Sequence, residues 1–517
     1  MGPHRSYSKR SRTGCQTCRI RHVKCDEAPG KCFNCTSTGR KCEGYDQNRL
    51  PLVIARAQKP NLEWSPTIRV AHLSSDERRG FAFFLGKTVP MMTRCFDSEL
   101  WQRLVLQMSQ AEPAICHAVI ALSAVHERSW SKGARLQRLR DSYQHFALAQ
   151  YNKAIAKLHV RLRSHDPQVH LVVLTCCMAF ITLELLQGNI TIAFSHLQQG
   201  LNILRSPGCD TGQVSETRPS SLEPPLAEAF MNMELTAGNF DLSDSGLKIQ
   251  STTRPLTVHS QQNCTSNTIW AAKQVIARII NDLMLFQSHC ERAAHGHLKF
   301  DTLAMSVERC RIRRRLTDFS AAFEESIAGH YLSPSKMRSV DMIHLHETVL
   351  TNVIDTSLDK SEMVFDQYLS VFIEINMWVE RIIDSLKDEY ADDMLPHLIT
   401  DLGIINPLIW VFLKCRHAET RLHGLRLLEA WPHREGPSDS IAFSSIGRAV
   451  HDIEMQAETV VEGPDGEATA EIPESGRVKL ITHVDVLEDG RDGVMYYYLS
   501  GDRTLRHWQF SLKKLEP

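Results

Sequence analysis

Six cysteines near the start of the chain repeat one spacing. The pattern C-x2-C-x6-C occurs twice, the second copy 17 residues after the first, and its members are Cys15, Cys18, Cys25, Cys32, Cys35 and Cys42. Cysteine thiolates are ligands of structural zinc, which is four-coordinate and tetrahedral. Two tetrahedral ions need eight ligand positions, and six sulfurs fill them when two of the sulfurs bridge both ions. The doubled spacing therefore predicts a compact cluster of two zinc ions and six thiolates.

The charge around these cysteines is strongly positive. Residues 1–50 contain eleven Lys and Arg against four Asp and Glu, whereas the rest of the chain has 48 of the 59 basic and 56 of the 60 acidic residues. Two Zn²⁺ and six thiolates sum to −2, and the cations that reverse this sign are Arg19, Arg21, Lys24, Lys31, Arg40 and Lys41. A basic head on an acidic body indicates a polyanion partner for the head alone.

Other uses of the cysteines stay open at the level of the sequence. A disulfide framework is typical of secreted proteins, but the first residues, MGPHRSYSKRSR, lack the apolar segment of a secretory signal. The fifteen cysteines are therefore expected in a reducing compartment, where dense cysteine more often binds metal. Four cysteines could hold a single zinc with two spare thiols, and His22 or His4 could complete a second four-ligand site. A redox C-x-x-C pair is disfavoured because no βαβ pattern surrounds it.

The stretch from Cys15 to Cys42 closely resembles the fungal Zn(II)2Cys6 binuclear-cluster DNA-binding domain. The resemblance implies that Cys15 and Cys32 are the bridging ligands, and that the helix after Cys18 presents its C-terminal end to the major groove, often at a CGG triplet. The third and fourth residues after the second cysteine reach the bases in that family, and these are Arg21 and His22 here. An arginine at this position can pair bidentately with guanine O6 and N7. His22 departs from the lysine or arginine often found there.

The remaining cations of the head are predicted to contact phosphates, which position a protein on DNA without specifying sequence. These residues are Arg19, Lys24, Arg40 and Lys41. A basic run precedes the cysteines at Arg5, Lys9, Arg10 and Arg12. This run is interpreted as a nuclear import signal or a DNA-binding arm, with a solvated charged tail as the alternative.

A proline-interrupted linker follows the cysteines. Pro51, Pro60 and Pro66 break any helix there, and no a/d heptad is present. Many zinc-cluster regulators form dimers through a coiled coil at this point. A homodimer of this chain is therefore expected to need the helical body, and residues 1–75 alone are expected to be monomeric.

The body predicts helix after helix, from apolar residues at helical spacing. In DSELWQRLVLQMSQ, for example, Trp101, Leu104, Val105 and Met108 share one face. A later helix is predicted over NPLIWVFLKCRHAETRLHGLRLLEAW. Near the end of the chain, GPDGEATAEIPESG is predicted to be a polar loop. The following RVKLITHVDVLEDGRDGVMYYYLSG is predicted to form two strands around a turn, with a third in RHWQFSLKKL. The fold class is thus mostly α: a small cluster domain, a large solenoid-like helical body and a short C-terminal β hairpin. The predicted domains are 1–46 with the cluster and basic arm, 47–75 as linker, 76–457 as helical regulatory domain, and 458–517 as loop and β tail.

Several motifs in the body mimic other functions. Val169–Leu186 is long and apolar like a membrane span, but it contains His170 and Glu184 and has no aromatic belt, which favours a buried helix and no membrane. Gly86-Lys87-Thr88 lacks the spacing of a phosphate-binding loop. The remaining candidates are interpreted as core residues, so no enzyme is predicted: Cys116, His117 and His126 on one helix, the pair Cys176-Cys177, and the sequence HLHE at 344–347.

The body also resembles the large helical region that accompanies many fungal zinc-cluster proteins, in the stretches DSELWQRLVLQMSQAEPAICHAVIALSAVHE, FALAQYNKAIAKL and KCRHAETRLHGLRLLEAWPHREG. Both resemblances together imply a zinc-dependent, sequence-specific regulator of RNA polymerase II transcription in the nucleus. Its partner would be double-stranded DNA, and no small-molecule effector is defined by the sequence. The alternative is a zinc-cluster scaffold that binds another protein without direct DNA readout. An enzyme concealed in the helical body is the third hypothesis.

Overall fold

The computed structural model of the chain divides into two compact units, Met1–Ile68 and Arg69–Pro517. The predicted domain boundaries at 46/47, 75/76 and 457/458 stay predictions. The structure describes residues 15–26, 31–43, 73–130, 137–164, 166, 168–205, 223–237, 268–294, 301–390, 395–462, 468–487 and 491–513. The basic run before the cysteines and the linker prolines lie outside these described residues.

The described part of the first unit contains two very short helices, α1 (Gln16–Ile20) and α2 (Phe33–Thr36), each beginning directly after the first cysteine of its half. Helices of one turn are unstable in isolation. Their large apolar side chains do not support them, because Ile20 is 73% and Phe33 is 70% exposed. The buried residues of this unit, within its described part, are the six cysteines. The sulfur atoms therefore form its core.

The second unit is mostly helical, as predicted. Its long helices are α6 to α14 and α17, and pairs that are adjacent in sequence pack together, such as α6 with α7 and α8 with α9. The solenoid-like arrangement predicted for this body stays a prediction. The bounds of the helices are α3 (Ser75–Phe83), α4 (Val89–Met92), α5 (Val105–Ala111), α6 (Pro113–Trp130), α7 (Gln137–Leu162), α8 (Val169–Gln187), α9 (Ile190–Leu204), α10 (Glu223–Ala237), α11 (Thr268–Ala294), α12 (Thr302–Ile327), α13 (Pro334–Thr356), α14 (Leu369–Glu389), α15 (Ile405–Lys414), α16 (Ala418–Ala430) and α17 (Ser440–Met455).

Local sequence explains where several of these helices begin. Ser74 and Glu77 form a capping box at the start of α3, in which each side chain bonds the other residue's backbone N–H. Asp301 and Asp439 each accept two backbone N–H groups at the starts of α12 and α17. Ser333 caps α13 ahead of a proline in its first turn. These caps satisfy donors that the helices themselves leave unpaired.

The apolar stretch that mimics a membrane span is α8. It is the one helix of the described residues that is long and apolar enough to cross a bilayer, and 78% of its most apolar window is buried inside the unit. It packs against α6 and α9, and its C-cap is Gly188, which is left-handed with φ 80°. The burial confirms the sequence interpretation of α8 as a core helix.

One predicted helix is wrong. The sequence NPLIWVFLKCRHAETRLHGLRLLEAW has a continuous helical pattern, but α15 ends at Lys414 and α16 begins at Ala418. At the break, Cys415 is extended, and its carbonyl oxygen accepts the Nε–H of Arg421 at 2.7 Å. His417 then caps α16 by accepting the backbone N–H of Thr420. Tertiary hydrogen bonds thus override a pattern that local periodicity would continue.

The C-terminal strands are confirmed, including the third. β6 (Val478–Val486), β7 (Asp492–Leu499) and β8 (Arg506–Ser511) form an antiparallel sheet in that order. Alternate residues of β7 are buried, so one face of the sheet packs on the helical body. The stretch GPDGEATAEIPESG, predicted to be a loop, contains a further strand. The remaining strands are short: β1 (Leu398–Ile399), β2 (Arg434–Glu435), β3 (Ser438–Asp439), β4 (Thr459–Glu462) and β5 (Ala468–Glu471).

A network of buried charges ties the sheet to the last helices. Glu454 is fully buried and accepts hydrogen bonds from Arg416, from Arg421 and from the backbone N–H of Val478 at the start of β6. Arg416 also donates to Glu362, which is paired with a buried lysine as well. Removing one partner of a buried ion pair strongly destabilises a protein, because the remaining charge is left buried without compensation. This network therefore couples helix and sheet packing.

Candidate metal centre and nucleic-acid interface

Four of the six sulfur atoms form a tight group. The Sγ atoms of Cys15, Cys18, Cys32 and Cys35 all lie within 4.8 Å of one another. The separations Cys15–Cys32 and Cys18–Cys32 are 3.6 Å, and Cys15–Cys35 and Cys18–Cys35 are 3.7 Å. A tetrahedral zinc with Zn–S bonds of about 2.3 Å places its sulfurs about 3.8 Å apart. The spacing fits ligands of a shared metal, whereas a disulfide needs sulfurs about 2.05 Å apart.

The two remaining cysteines complete the group from the outside. Cys25 lies within 4.8 Å of Cys32 and of the carboxylate of Asp26, measured between ligand atoms. The sulfur of Cys25 also accepts the backbone N–H of Cys15 at 3.4 Å. Cys42 is 9% exposed and belongs to the same buried cluster. The described residues thus bring all six predicted ligands to one place.

Burial makes these thiols hard to ionise without a cation. It raises the pKa of the Cys15 thiol to about 12, and it raises the pKa of Cys18 and Cys32 above the ordinary value as well. Zinc ligands must be thiolates, and the positive charge of the metal supplies what burial removes. A buried set of six sulfurs at these distances therefore suits two zinc ions and suits free thiols poorly.

The two halves of the unit are related by a pseudo-two-fold repeat of 17 residues. The backbone N–H of Val23 bonds the carbonyl of Cys18 at 3.1 Å, and the N–H of Arg40 bonds that of Cys35 at 3.0 Å. Both bonds close a helix end in the manner of a Schellman cap. The residue before each donor is left-handed: His22 has φ 56°, and its counterpart is Gly39 with φ 67°.

Side chains repeat the relation between the halves. The Thr17 hydroxyl donates to the carbonyl oxygen of Lys41 at 3.2 Å, and the Asn34 amide donates to that of Lys24 at 2.7 Å. Each short helix therefore holds the segment that leads to the last cysteine of the opposite half. The carboxylate of Asp26 adds a cap, accepting the N–H groups at the start of α2. Periodicity of the cysteines alone does not reveal these polar links.

The predicted DNA-binding residues lie mostly on the surface. His22, Lys24, Arg40 and Lys41 are exposed, and none of them pairs with a carboxylate among the described residues. Arg21 is half-buried and donates from Nη1 to the hydroxyl of Thr38 at 3.4 Å. The backbone of Arg19 lies in α1, and its side chain is outside the described part. His22, two residues after the end of α1, is left-handed and exposed, and it is not among the metal-ligating groups of the described residues.

The candidate catalytic motifs of the body lie in helices. Gly86 and Thr88 belong to a π-helical stretch (Phe84–Thr88) rather than a phosphate-binding loop, and the Thr88 hydroxyl contacts His126 Nδ1 at 3.0 Å. Cys116 and His126 are buried on α6, as predicted for core residues, whereas His117 on the same helix is half-buried and its Nδ1 lies 2.7 Å from the side-chain oxygen of Gln150. In HLHE, His344 bonds Glu347 at 3.1 Å within α13.

Comparison with protein families matches two parts of the chain. Residues 13–51 match the fungal Zn(2)-Cys(6) binuclear cluster domain, which binds two zinc ions, and residues 81–335 match the fungal specific transcription factor domain. The chain carries both domains of the fungal zinc-cluster transcription regulators. The second match ends at the start of α13, so the later helices and the C-terminal sheet of this zinc-cluster chain lie beyond it.

Curated relatives of the zinc-cluster chain are fungal regulators. The aspercryptin biosynthesis cluster-specific transcription regulator of Emericella nidulans is 28% identical over 417 residues, covering 74% of this chain and 65% of the relative. Transcription regulator lscL of Purpureocillium lilacinum is 30% identical over 207 residues, 36% of this chain and 47% of the relative. White-opaque regulator 2 of Candida albicans is 50% identical over 52 residues, 10% of this chain and 12% of the relative.

The matched region therefore spans less than two thirds of the length of these relatives. No solved structure shows a significant match to the chain. The relatives thus inform the class of the protein more than the details of its body.

Proposed function

We propose that the chain is a zinc-dependent, sequence-specific DNA-binding regulator of RNA polymerase II transcription that acts in the nucleus and reads CGG-like triplets in the major groove. One observation carries the proposal: a buried set of six cysteine sulfurs, suited to two zinc ions, is surrounded by exposed cations that have no acidic partner among the described residues. Exposed cations without acidic partners favour a polyanion such as DNA. No enzymatic activity forms part of the proposal.

In this proposal all six cysteines ligate zinc, and Cys15 and Cys32 bridge the ions. The pseudo-two-fold relation supports this choice, because it must map one bridging cysteine onto the other. Among the four central sulfurs, only two pairs meet this condition: Cys15 with Cys32, and Cys18 with Cys35. An outer ligand lies near the bridging sulfur of the opposite half, and Cys25 lies within 4.8 Å of Cys32. When bound, the metals supply the charge that keeps the buried sulfurs as thiolates.

The cations divide into two roles. Arg21 reads a guanine from the end of α1, with His22 beside it, and the Arg21–Thr38 contact orients the guanidinium between the two halves. Lys24 and Lys41 occupy equivalent positions, and their carbonyl groups are fixed by Asn34 and Thr17. We assign these two lysines, with Arg19 and Arg40, to phosphates.

A binding-site selection with the full chain tests the proposal. Arg21→Ala should weaken binding to the preferred site by about 1–3 kcal/mol and relax the preference at one base pair. Lys41→Ala should weaken all sequences alike, and Lys387→Ala, on an exposed turn of α14, is the control without effect. If Arg21→Ala and Lys41→Ala both reduced the affinity equally for all sequences, the assignment of Arg21 as base reader and Lys41 as phosphate contact would be refuted.

The second candidate function is a scaffold that binds another protein through the cluster. The exposed apolar side chains of Ile20 and Phe33 favour it, because a surface of this kind suits protein contacts. Salt separates the two candidates: phosphate contacts give an affinity that falls steeply with salt concentration, whereas an apolar interface does not. Ile20→Ser with Phe33→Ser should leave DNA affinity nearly unchanged if the proposed function holds.

The helical body is proposed to make any homodimer, since the linker offers prolines in place of a coiled coil. Sedimentation of the full chain and of the chain lacking residues 76–517 would show dimers only for the former. A tight dimer of the short fragment would contradict this assignment.

A further inference from the structure

A cleft of about 500 Å³ opens on the helical body, far along the sequence from the cysteines. Its walls are the 3-10 helix Glu362–Tyr368, the start of α14, the break between α15 and α16, and β5. Clefts of about 300–1,000 Å³ are of the size that holds small molecules. The residues that line this cleft differ in chemistry between its floor and its rim.

The floor is apolar and contains one unsatisfied donor. Phe365, Phe372 and Ile472 line it and are buried. The Arg416 side chain lines it too and is 6% exposed, and its Nε–H is buried without a hydrogen-bond partner among the described residues. The other nitrogens of this guanidinium bond Glu362, Glu454 and backbone carbonyls. Because an unpaired buried donor is costly, the cleft favours a ligand that brings an acceptor to it.

The rim is acidic. Arg477, which also lines the cleft, is neutralised by a two-bond pair with Asp366, at 2.7 Å for each bond. Glu419, Glu458 and Glu471 line the cleft, are exposed, and form no ion pair among the described residues. Three uncompensated carboxylates around one opening attract a cation and repel an anion.

We infer that this cleft binds a small organic cation with an apolar body: an ammonium group at the three rim carboxylates, a ring or alkyl body against Phe365 and Phe372, and a hydrogen-bond acceptor directed to the Nε–H of Arg416. Arg416 in the floor is also part of the buried charge network around Glu454, which connects the end of α15, helix α17 and strand β6. A ligand in the cleft would therefore contact a residue on which the packing of these elements depends. As an effector site it rests on the proposed function, but ligand binding itself does not.

A calorimetric titration of the full chain with tyramine tests the inference, because tyramine has an ammonium group at one end and a phenolic oxygen at the other. A dissociation constant on the order of 1 mM is expected for a ligand of this size. Tyrosol, which has a hydroxyl in place of the ammonium, should bind more weakly, by up to about fivefold, because exposed charge pairs contribute up to about 1 kcal/mol. Phenethylamine, which lacks the phenolic oxygen, should also bind more weakly because the Arg416 donor stays unpaired.

Two variants locate the site. Replacing Glu419, Glu458 and Glu471 together by Gln should remove the preference for tyramine over tyrosol, whereas Glu325→Gln on α12 should not. Ala418→Trp places a large ring at the cleft wall and should abolish binding, with Ala322→Trp, on an exposed face of α12, as the matched control. Thermal unfolding of each variant at the wild-type temperature shows that the fold is retained.

Three results would overturn the inference: no saturable binding of tyramine, equal affinity for tyramine and tyrosol, or unchanged binding by the Ala418→Trp variant. The titration contains no DNA. Its failure therefore leaves the proposed function standing, and failure of the site selection leaves the cleft standing.

Discussion

The two units of the chain solve the problem of folding in different ways. In the described part of the cysteine unit the buried side chains are the six thiols, and the apolar residues Ile20 and Phe33 face solvent. The body instead buries a continuous apolar core that includes Phe412 and Trp431, and it adds a network of buried ions around Glu454. The core of the first unit is stabilised by metal binding, whereas the core of the second unit is stabilised by the hydrophobic effect.

This difference predicts which changes in conditions should unfold each unit. Metal binding is folding free energy for a unit without an apolar core, so its structure depends on zinc and on thiolate chemistry. The body should depend on packing and on the pairing of its buried charges, and should be indifferent to chelators. Changes that act on one unit and spare the other therefore test the comparison.

The largest expected effect is that of metal removal. A strong chelator should unfold the cysteine unit, because zinc binding contributes about 10–16 kcal/mol in small zinc domains. Tryptic cleavage after Lys24 and Lys41 should accelerate greatly, while thermal unfolding of the body stays unchanged. If cleavage at these lysines stayed slow after the metal had been removed, the unit would have another source of stability.

The next effect breaks the body and spares the cluster. Glu454→Gln leaves Arg416 and Arg421 without one of their buried carboxylate partners, and should destabilise the body by about 3–5 kcal/mol. Denaturant unfolding measures the loss, and the zinc content should be unchanged. Glu325→Gln, at an exposed position of α12, should have almost no effect. Equal free energies of unfolding for the two variants would show that the buried charge network does not stabilise the body.

Acid should act on the body in part through His126, whose pKa is lowered by burial. His126 is 1% exposed, and burial, aided by the neighbouring His397 and Arg94, lowers its pKa to about 3. The unfolded chain binds this proton below its ordinary pKa of 6.5, so stability present above that pH is lost as the pH falls towards 3. The loss should approach about 1.4 kcal/mol per pH unit, or roughly 2 kcal/mol at pH 5.

Comparing His126→Gln with the wild type between pH 7 and pH 5 measures this contribution. The variant should lose less stability on acidification, and His330→Gln, at an exposed position, should behave like the wild type. Parallel stability curves for wild type and His126→Gln would show that this histidine does not titrate on unfolding.

The smallest effect tests the pseudo-two-fold relation inside the cysteine unit. Gly39 has φ 67° and space around it, so Gly39→Ala adds backbone strain without a clash and should cost about 1 kcal/mol. His22→Gly should relieve similar strain in the other half. Zinc competition with a chelator should show about fivefold weaker binding for the first variant and no weakening for the second. The same direction for both would contradict equivalent helix ends.

The cysteine unit was predictable from its sequence because metal chemistry fixes ligand type and number. The repeat of 17 residues also places His22 opposite Gly39, and a glycine at that position signals a left-handed cap. The Asn34 and Thr17 links were not predictable, since their partners are backbone carbonyls that become neighbours only when the halves face each other.

The body was predictable as helices and strands but not in its breaks or its cleft. Apolar periodicity continues through Cys415, and the break there depends on Arg421, whose partner is set by tertiary packing. The cleft brings together Phe365 of a 3-10 helix, Arg416 of the break between α15 and α16, and Glu471 of β5. No spacing in the sequence relates such residues, so only the fold reveals the site.

The central claim is that two zinc ions form the core of the first unit through six thiolates. Native mass spectrometry of the full chain, purified with zinc, measures it most directly. The account predicts two zinc ions per chain for the wild type, loss of both in the Cys15→Ser, Cys32→Ser double variant, and two retained in a Cys176→Ser, Cys177→Ser variant of the body. One zinc ion per wild-type chain, or two retained without Cys15 and Cys32, would contradict the account.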